Sequence, residues 1–443
     1  RENSSPHFRL GNQSLFTPLR MITSCTTIDL TMRVILLLTI AAISATNADE
    51  KIRYDDYRLY SIYVADDTRL EALQNLQNKD GYHFWALPRV NISANIMIAP
   101  QKLEEFMDLA NTTQLEPELM MDNVQRYIDS ENPRANLRGS MDWLGYHRLD
   151  VIYRWLEELV NQYPKLVKPL VGGSSYEGRS IKGVKLSFKE GNPGIFIEGG
   201  IHAREWISPA VVTYILNELI LSEDPRVRSM AESYDWYVFP VFNPDGYEYT
   251  HTVNRLWRKT RRPSRIGCVG ADPNRNWNFH WGGTSSYPCS EIYPGEKPFS
   301  ETETRTMSEY IGTIHDKLFA YIAFHSYSQL LLIPYGHTNK RVQNYDDLYK
   351  IGNYSIREFK RLFFHHNVAS GGSMDWVRGT YKVPVTYTYE LRDKGRYGFI
   401  LPASQIIPTA EETLDSLVAM FQEAASLGYG SVCIAVNPFT YLE

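Results

Sequence analysis

At 443 residues, with 43% hydrophobic and 22% charged side chains, the chain has an ordinary globular composition and the length for two domains, or for one large domain with an appendage. A net charge of −5 leaves no basic excess to displace counterions, which excludes nucleic acid as the main partner.

In chain order, the first feature is Met32-Arg33, followed by the apolar run Val34 to Ala42 and the small residues Ser44, Ala45, Thr46 and Ala48. The run is too short to span a bilayer and has the order of a secretory signal peptide, over residues 32–48, cut near Ala45 or Ala48. Residues 1–31 then read as an upstream segment outside the mature protein, with Met21 as a second candidate start. This predicts a secreted, extracellular protein with no membrane association after signal removal. Secretion permits disulfides. Of the four cysteines, Cys25 lies upstream, Cys268 and Cys289 flank a Gly/Pro/Asn-rich stretch, and Cys433 is odd, so the most economical assignment is a Cys268–Cys289 bridge. Asn91, Asn111 and Asn353 begin glycosylation sequons.

Residues 49–138 read as a small separate module. Tyr57 to Val64, Tyr82 to Leu87 and Ala94 to Ile98 have strand patterns, and Thr68 to Leu76 and Leu103 to Leu109 have helical spacing, which fits a compact α+β domain. The polar stretch Asp129 to Ser140 is the best domain boundary, and its Arg134 and Arg138 are open to a trypsin-like protease. Residues 139–443 form the second domain. Helical patterns at Arg148 to Gln162, Ser208 to Leu221, Glu301 to Asp316 and Ala410 to Ala425 alternate with apolar strands. The strands are Ser180 to Leu186, Gly194 to Glu198, Trp236 to Phe242, Leu318 to His325 and Val385 to Leu391. The alternation predicts an α/β fold with a mixed, mostly parallel sheet flanked by helices.

Ligand sites in such sheets gather at the carboxyl ends of strands. His202, Asn243, His325 and Glu390 all fall there. The run Gly199-Gly200-Ile201-His202-Ala203-Arg204-Glu205-Trp206 carries a His-x-x-Glu pair, and with His325 it offers the two imidazoles and one carboxylate that hold zinc with a position open for water. The pair alone is weak: about one such match is expected by chance, and His147 to Asp150 is a second. The basic run Arg255 to Arg262 reads either as a solvated loop or as an anion site beside a cleft.

Seven blocks in order carry a resemblance over about residues 57–430, strongest from Ser174 on. They include Ser175-Tyr176-Glu177-Gly178-Arg179, Ile201 to Trp206, Asn243-Pro244-Asp245-Gly246, Asn254 to Lys259, Asp272-Pro273-Asn274-Arg275-Asn276-Trp277, His325-Ser326-Tyr327-Ser328-Gln329 and Glu390-Leu391-Arg392-Asp393. The chain resembles the zinc metallocarboxypeptidases of the pancreatic A/B family. The resemblance implies one Zn²⁺ per chain on His202, Glu205 and His325. Asp272 would orient a ligand histidine, Glu390 would serve as general base toward a water activated at the metal, and Arg258 would stabilise the oxyanion. Asn274 and Arg275 would clamp the terminal carboxylate, with Arg204, Ser326, Tyr327 and Phe399 as further substrate contacts. Met374 stands where B-type relatives carry an acid, which implies an A-type preference for aromatic or large aliphatic C-terminal residues.

The family also implies that residues 49–138 are an inhibitory, ferredoxin-like propeptide removed by a trypsin-like protease near Arg134 or Arg138. The active product would be a monomer acting on peptide and protein C-termini. One departure keeps a second reading open. The family's substrate-capping Tyr is replaced by Asn367, in a shortened segment Arg361 to Val368, as in a secreted pseudo-peptidase that binds peptide C-termini without cutting them.

Overall fold

The structure, a computed structural model, describes residues 51–133, 140–359 and 369–430. The upstream segment, the signal peptide, Arg134, Arg138, Asn367 with the shortened segment around it, and Cys433 lie outside the described residues.

The first module is built from β1 (Arg58–Tyr63), α1 (Asp67–Gln74), β2 (Tyr82–Ala86), β3 (Ser93–Ile98), α2 (Leu103–Thr113), β4 (Pro117–Met121) and α3 (Val124–Glu131). Its four-stranded antiparallel sheet has the order β2-β3-β1-β4. Helix α1 starts where the Asp66 carboxylate accepts the Arg69 N–H at 2.9 Å, a side-chain N-cap. Strand β3 is buried along nearly its whole length, because the sheet is covered on both faces. Tyr60, Ile62, Ile96 and Ile98 pack against Phe106 and Ala110 of α2. Across the pleat, Leu59, Met97 and Trp85 join Leu256, Tyr327, Phe399 and Ile400 of the second domain in one apolar cluster. Sequence periodicity missed β4 and α3. Strand β4 is a short edge that opens on a proline and is mostly accessible, so it carries no apolar alternation to read.

The second domain carries α4 (Leu149–Gln162), β5 (Val167–Ser174), β6 (Ser180–Leu186), β7 (Gly194–Glu198), α5 (Ile207–Leu221), α6 (Pro225–Ser233), β8 (Asp235–Phe239) and α7 (Pro244–Thr252). These are followed by α8 (Thr302–Ile314), β9 (Leu318–Ser326), β10 (Leu330–Leu332), α9 (Tyr345–Phe359), α10 (Ser373–Tyr381), β11 (Val385–Leu391) and α11 (Ile406–Ser426). The seven-stranded sheet has the order β10-β11-β9-β7-β8-β6-β5. Its central strands β11, β9, β7 and β8 are parallel, β10 and β6 run antiparallel to them on either side, and β5 pairs antiparallel with β6 at the edge. On one face Ile195, Ile197 and Ile322 meet Ile152 of α4, Val211 of α5 and Leu417 of α11. On the other, Phe196 and Tyr321 meet Met307 of α8 and Val377 of α10. Helices on both faces explain why β7 and β9 read as continuous apolar runs. Strand β8 stops at Phe239, short of the predicted Phe242, because Pro240 has no N–H to donate to the ladder.

Cys268 and Cys289 form the predicted disulfide, with Cα atoms 5.1 Å apart. The Asn353 sequon is folded into α9, with Asn353 itself partly exposed and the Ser355 hydroxyl buried against Ser416 and Tyr389. Among the described residues no helix is long and apolar enough to cross a membrane.

Candidate metal centre and active site

The site begins where β7 ends. Gly200 has φ +64°, and a Cβ on Gly199 would come within 2.9 Å of the Ser208 hydroxyl, so the chain turns here only because both positions are glycine. The Ser208 hydroxyl accepts the Gly200 N–H and donates to the Phe324 carbonyl, which ties the turn to β9. Asn243, just beyond β8, caps α7 by accepting the Gly246 N–H, and its Nδ2 donates to the Lys259 carbonyl. The Ala203 N–H in turn donates to the Arg258 carbonyl. Three loops are thereby fastened around the carboxyl ends of adjacent parallel strands.

This fastening brings His202, Glu205 and His325 together, all buried, with potential ligand atoms within 4.8 Å of one another. His202 Nδ1 lies 2.8 Å from Glu205 Oε1, His325 Nδ1 lies 3.2 Å from Glu205 Oε2, and the two Nδ1 atoms are 3.1 Å apart. Two nitrogens and a carboxylate converging on one buried point suit zinc. Burial, with Arg258 beside it, pushes the His202 imidazole down toward the neutral form that binds metal. For Glu205, burial works against ionisation, but His202 and His325 outweigh it and keep the carboxyl well below its usual range. The second nitrogen of His202 lies 3.0 Å from Asp272 Oδ1, which fixes the ring so that Nδ1 faces the site. Burial likewise opposes the Asp272 charge, yet Arg258, Arg275 and His202 hold this carboxyl far below its ordinary value.

Arg258 donates to Asp272 Oδ2 at 2.8 Å and lies 3.7 Å from Glu205, at the rim of the same centre. Glu390, one residue before the end of β11, is in parallel register with His325 on β9. Burial pushes its carboxyl up to about 7, with His325, Arg258 and Arg275 pulling downward. Asn274 lies 3.3 Å from His325 Nε2, and Arg275 donates to the Asn274 carbonyl. Met374, at the start of α10, is buried and receives the Thr388 hydroxyl at its sulfur.

Farther out, Tyr327 and Phe399 meet edge to face at 5.0 Å, and the Arg204 guanidinium lies over Phe399 at 4.1 Å while pairing with Glu291. The first module sits on this group. Asn95 donates to the Tyr327 hydroxyl at 2.9 Å, and the Trp85 ring packs on Phe399 at 5.4 Å. Ser326 contributes its N–H to Glu205 Oε2.

One sequence expectation changes. Arg255, Lys259 and Arg261 are not a solvated loop: Arg255 is 2% exposed and forms a bidentate pair with Glu131, Lys259 donates to the Pro288 carbonyl, and Arg261 lies on the Tyr249 ring. Aromatic neighbours and the first module cover the run. The chance motif dissolves, since His147 pairs with Asp142 rather than Asp150. Sequence reading also missed Trp85, Asn95, Glu131 and Glu198. For Asn95 and Glu198 a signal existed, a lone polar residue in or at the end of an apolar strand.

Residues 152–416 match the family described as zinc carboxypeptidase, and residues 60–131 match the carboxypeptidase activation peptide. The chain is 46% identical to zinc carboxypeptidase A 1 of Anopheles gambiae over 88% of this chain and 94% of that one. It is also 46% identical to carboxypeptidase B of Astacus astacus, over 62% of this chain and 96% of that one. The crystal structure of carboxypeptidase A from Helicoverpa armigera superposes with a TM-score of 0.76 at 25% identity, covering 85% of this chain and 99% of that one. With the convergent metal centre and the module that covers it, these matches show that the chain belongs to the zinc carboxypeptidases, enzymes that bind one zinc ion, and that it carries their activation peptide.

Proposed function

We propose that this chain is a secreted zymogen whose active form removes aromatic or large aliphatic residues from peptide C-termini. The observation that carries the specificity is Met374, an uncharged and adaptable side chain at the start of α10, where an acid would be needed to hold Lys or Arg. Overall similarity does not choose, since an A-named and a B-named relative are equally identical to the chain. Residues 49–138 act as the inhibitory propeptide and 139–443 as the peptidase. A trypsin-like protease cuts near Arg134 or Arg138, and the product works as a monomer.

His202, Glu205 and His325 hold the zinc, which when bound acidifies a water and polarises the scissile carbonyl. Arg275, with Asn274, grips the terminal carboxylate through charge-assisted bonds. Glu390 takes a proton from the attacking water and returns it to the leaving amine. Burial raises this carboxyl above its ordinary range, which favours its holding the proton between the two transfers. Arg258 donates to the oxyanion that forms as the carbonyl is attacked. Arg204, Ser326, Tyr327 and Phe399 contact the residues upstream of the scissile bond, once Trp85 and Asn95 have left.

The test is incubation of the trypsin-treated protein with peptides ending in Phe, Leu or Lys, with and without a zinc chelator. Chelator-sensitive release of Phe and Leu is the expected result. Release of Lys alone would overturn the A-type assignment. No release, with one zinc bound per chain, would favour the peptide-binding pseudo-peptidase that the Asn367 position raises.

A further inference from the structure

A buried carboxylate that the catalytic scheme does not use lies behind the metal centre. Glu198 is the last residue of β7 and is 1% exposed, as is Ser373, the first residue of α10. Glu198 Oε1 accepts the Ser373 hydroxyl at 2.8 Å. No side chain of its own caps α10, so the Ser373 N–H must find an acceptor elsewhere. It finds Asn274 Oδ1 at 2.9 Å. A backbone N–H only donates, so the Asn274 amide must turn its oxygen toward α10 and its Nδ2 toward the cleft, where that atom lies 3.3 Å from His325 Nε2. Asp272 fixes the other half of the same residue by accepting the Asn274 N–H.

We infer that Glu198 is a positioning residue for recognition of the terminal carboxylate. By holding Ser373 it sets the first turn of α10, and α10 sets which end of the Asn274 amide a substrate meets. The inference rests on the role given to Asn274 above. It also accounts for a polar residue at the end of a strand whose other four positions, Gly194 to Ile197, are apolar and fully buried.

The test measures binding of 3-phenylpropanoate, a carboxylate with no bond to cleave, and of uncharged 3-phenylpropanamide, by calorimetry on the trypsin-treated zinc protein. Glu198→Ala and Ser373→Ala are expected to weaken the carboxylate about tenfold, as sub-ångström misplacement of a binding group does, and to leave the amide within twofold. Glu198→Gln keeps an acceptor for the Ser373 hydroxyl and should stay within twofold for both ligands. In steady state with a Phe-ended peptide, the two Ala variants should raise KM more than they lower kcat. Ser373→Ala removes one oxygen and keeps the test open if Glu198→Ala does not fold. Carboxylate affinity unchanged in Ser373→Ala, or equal losses for carboxylate and amide, would overturn the inference. Failure of the parent protein to bind the carboxylate would instead overturn the assignment of Asn274, and this inference with it.

Discussion

Replacing Glu131 by Ala removes one half of a buried ion pair that joins the propeptide to the peptidase. The carboxylate meets Arg255 through two bonds of 2.5 and 2.8 Å, with both side chains 2% exposed. Burial disfavours the Glu131 charge and raises its carboxyl above the usual range, with Arg255 pulling the other way, so the pair is already costly to bury. Without Glu131, the guanidinium keeps the Arg204 and Phe399 carbonyls and the Trp206 ring 3.8 Å away, but it loses its counter-ion. Breaking a buried pair from one side costs about 3–5 kcal/mol, and the two remaining carbonyl bonds argue for the lower end. Because the pair spans the two modules, the loss falls on docking, and about 3 kcal/mol raises the undocked fraction by roughly 150-fold. The assay is the rate at which the uncleaved zymogen hydrolyses a blocked dipeptide ending in Phe, relative to the fully trypsin-activated protein. The uncleaved rate should rise by about two orders of magnitude. The activated rate should not change, since Glu131 leaves with the propeptide. The double variant Glu131→Leu/Arg255→Met buries no charge and should return the uncleaved rate close to that of the parent. A well-folded Glu131→Ala zymogen whose uncleaved rate stays within threefold of the parent would refute the reasoning.

Glu390→Gln should lower turnover by about 10²–10⁴-fold without changing zinc content measured by atomic absorption, whereas loss of zinc would mean Glu390 has a ligand or structural role. Glu303 is buried, with one oxygen accepting the Tyr176 N–H, and burial raises its carboxyl to about 8. Its folded pKa lies above the unfolded value of 4.5, so its contribution is full below pH 4.5 and is lost as pH rises through 8. Stability followed by denaturant titration should therefore fall over that window, by on the order of 5 kcal/mol, and Glu303→Gln should flatten the slope. Reducing or removing the Cys268–Cys289 bridge, which closes a loop 21 residues apart in sequence, should cost about 3 kcal/mol in the same titration.

The local signals were strong where burial is symmetric. Strands β7 and β11 were bounded correctly from their apolar runs, and the glycine pair after β7 announced a turn that proved to need glycine at both positions. Four polar residues at strand ends, His202, Asn243, His325 and Glu390, could be placed at one edge of the sheet from the chain alone, because parallel strands align their carboxyl ends. Asn243 turned out to anchor a loop rather than face substrate, a distinction that depends on its bonds to Lys259 and Gly246. The motif blocks supplied the zinc ligands and the family; spacing alone would have left His202 level with His147.

The sequence by itself determined what is periodic and local: the two modules, the main strands, the metal motif and the neutral residue Met374. Tertiary structure alone decided which charges have partners. Arg255 lies 124 residues from Glu131, Tyr327 lies 232 from Asn95 and Ser373 lies 175 from Glu198. Such contacts leave no period in the chain. A basic run looks solvated until the fold brings an acid to it, and the ionic environment of a buried group is a property of what packs around it rather than of its neighbours in sequence.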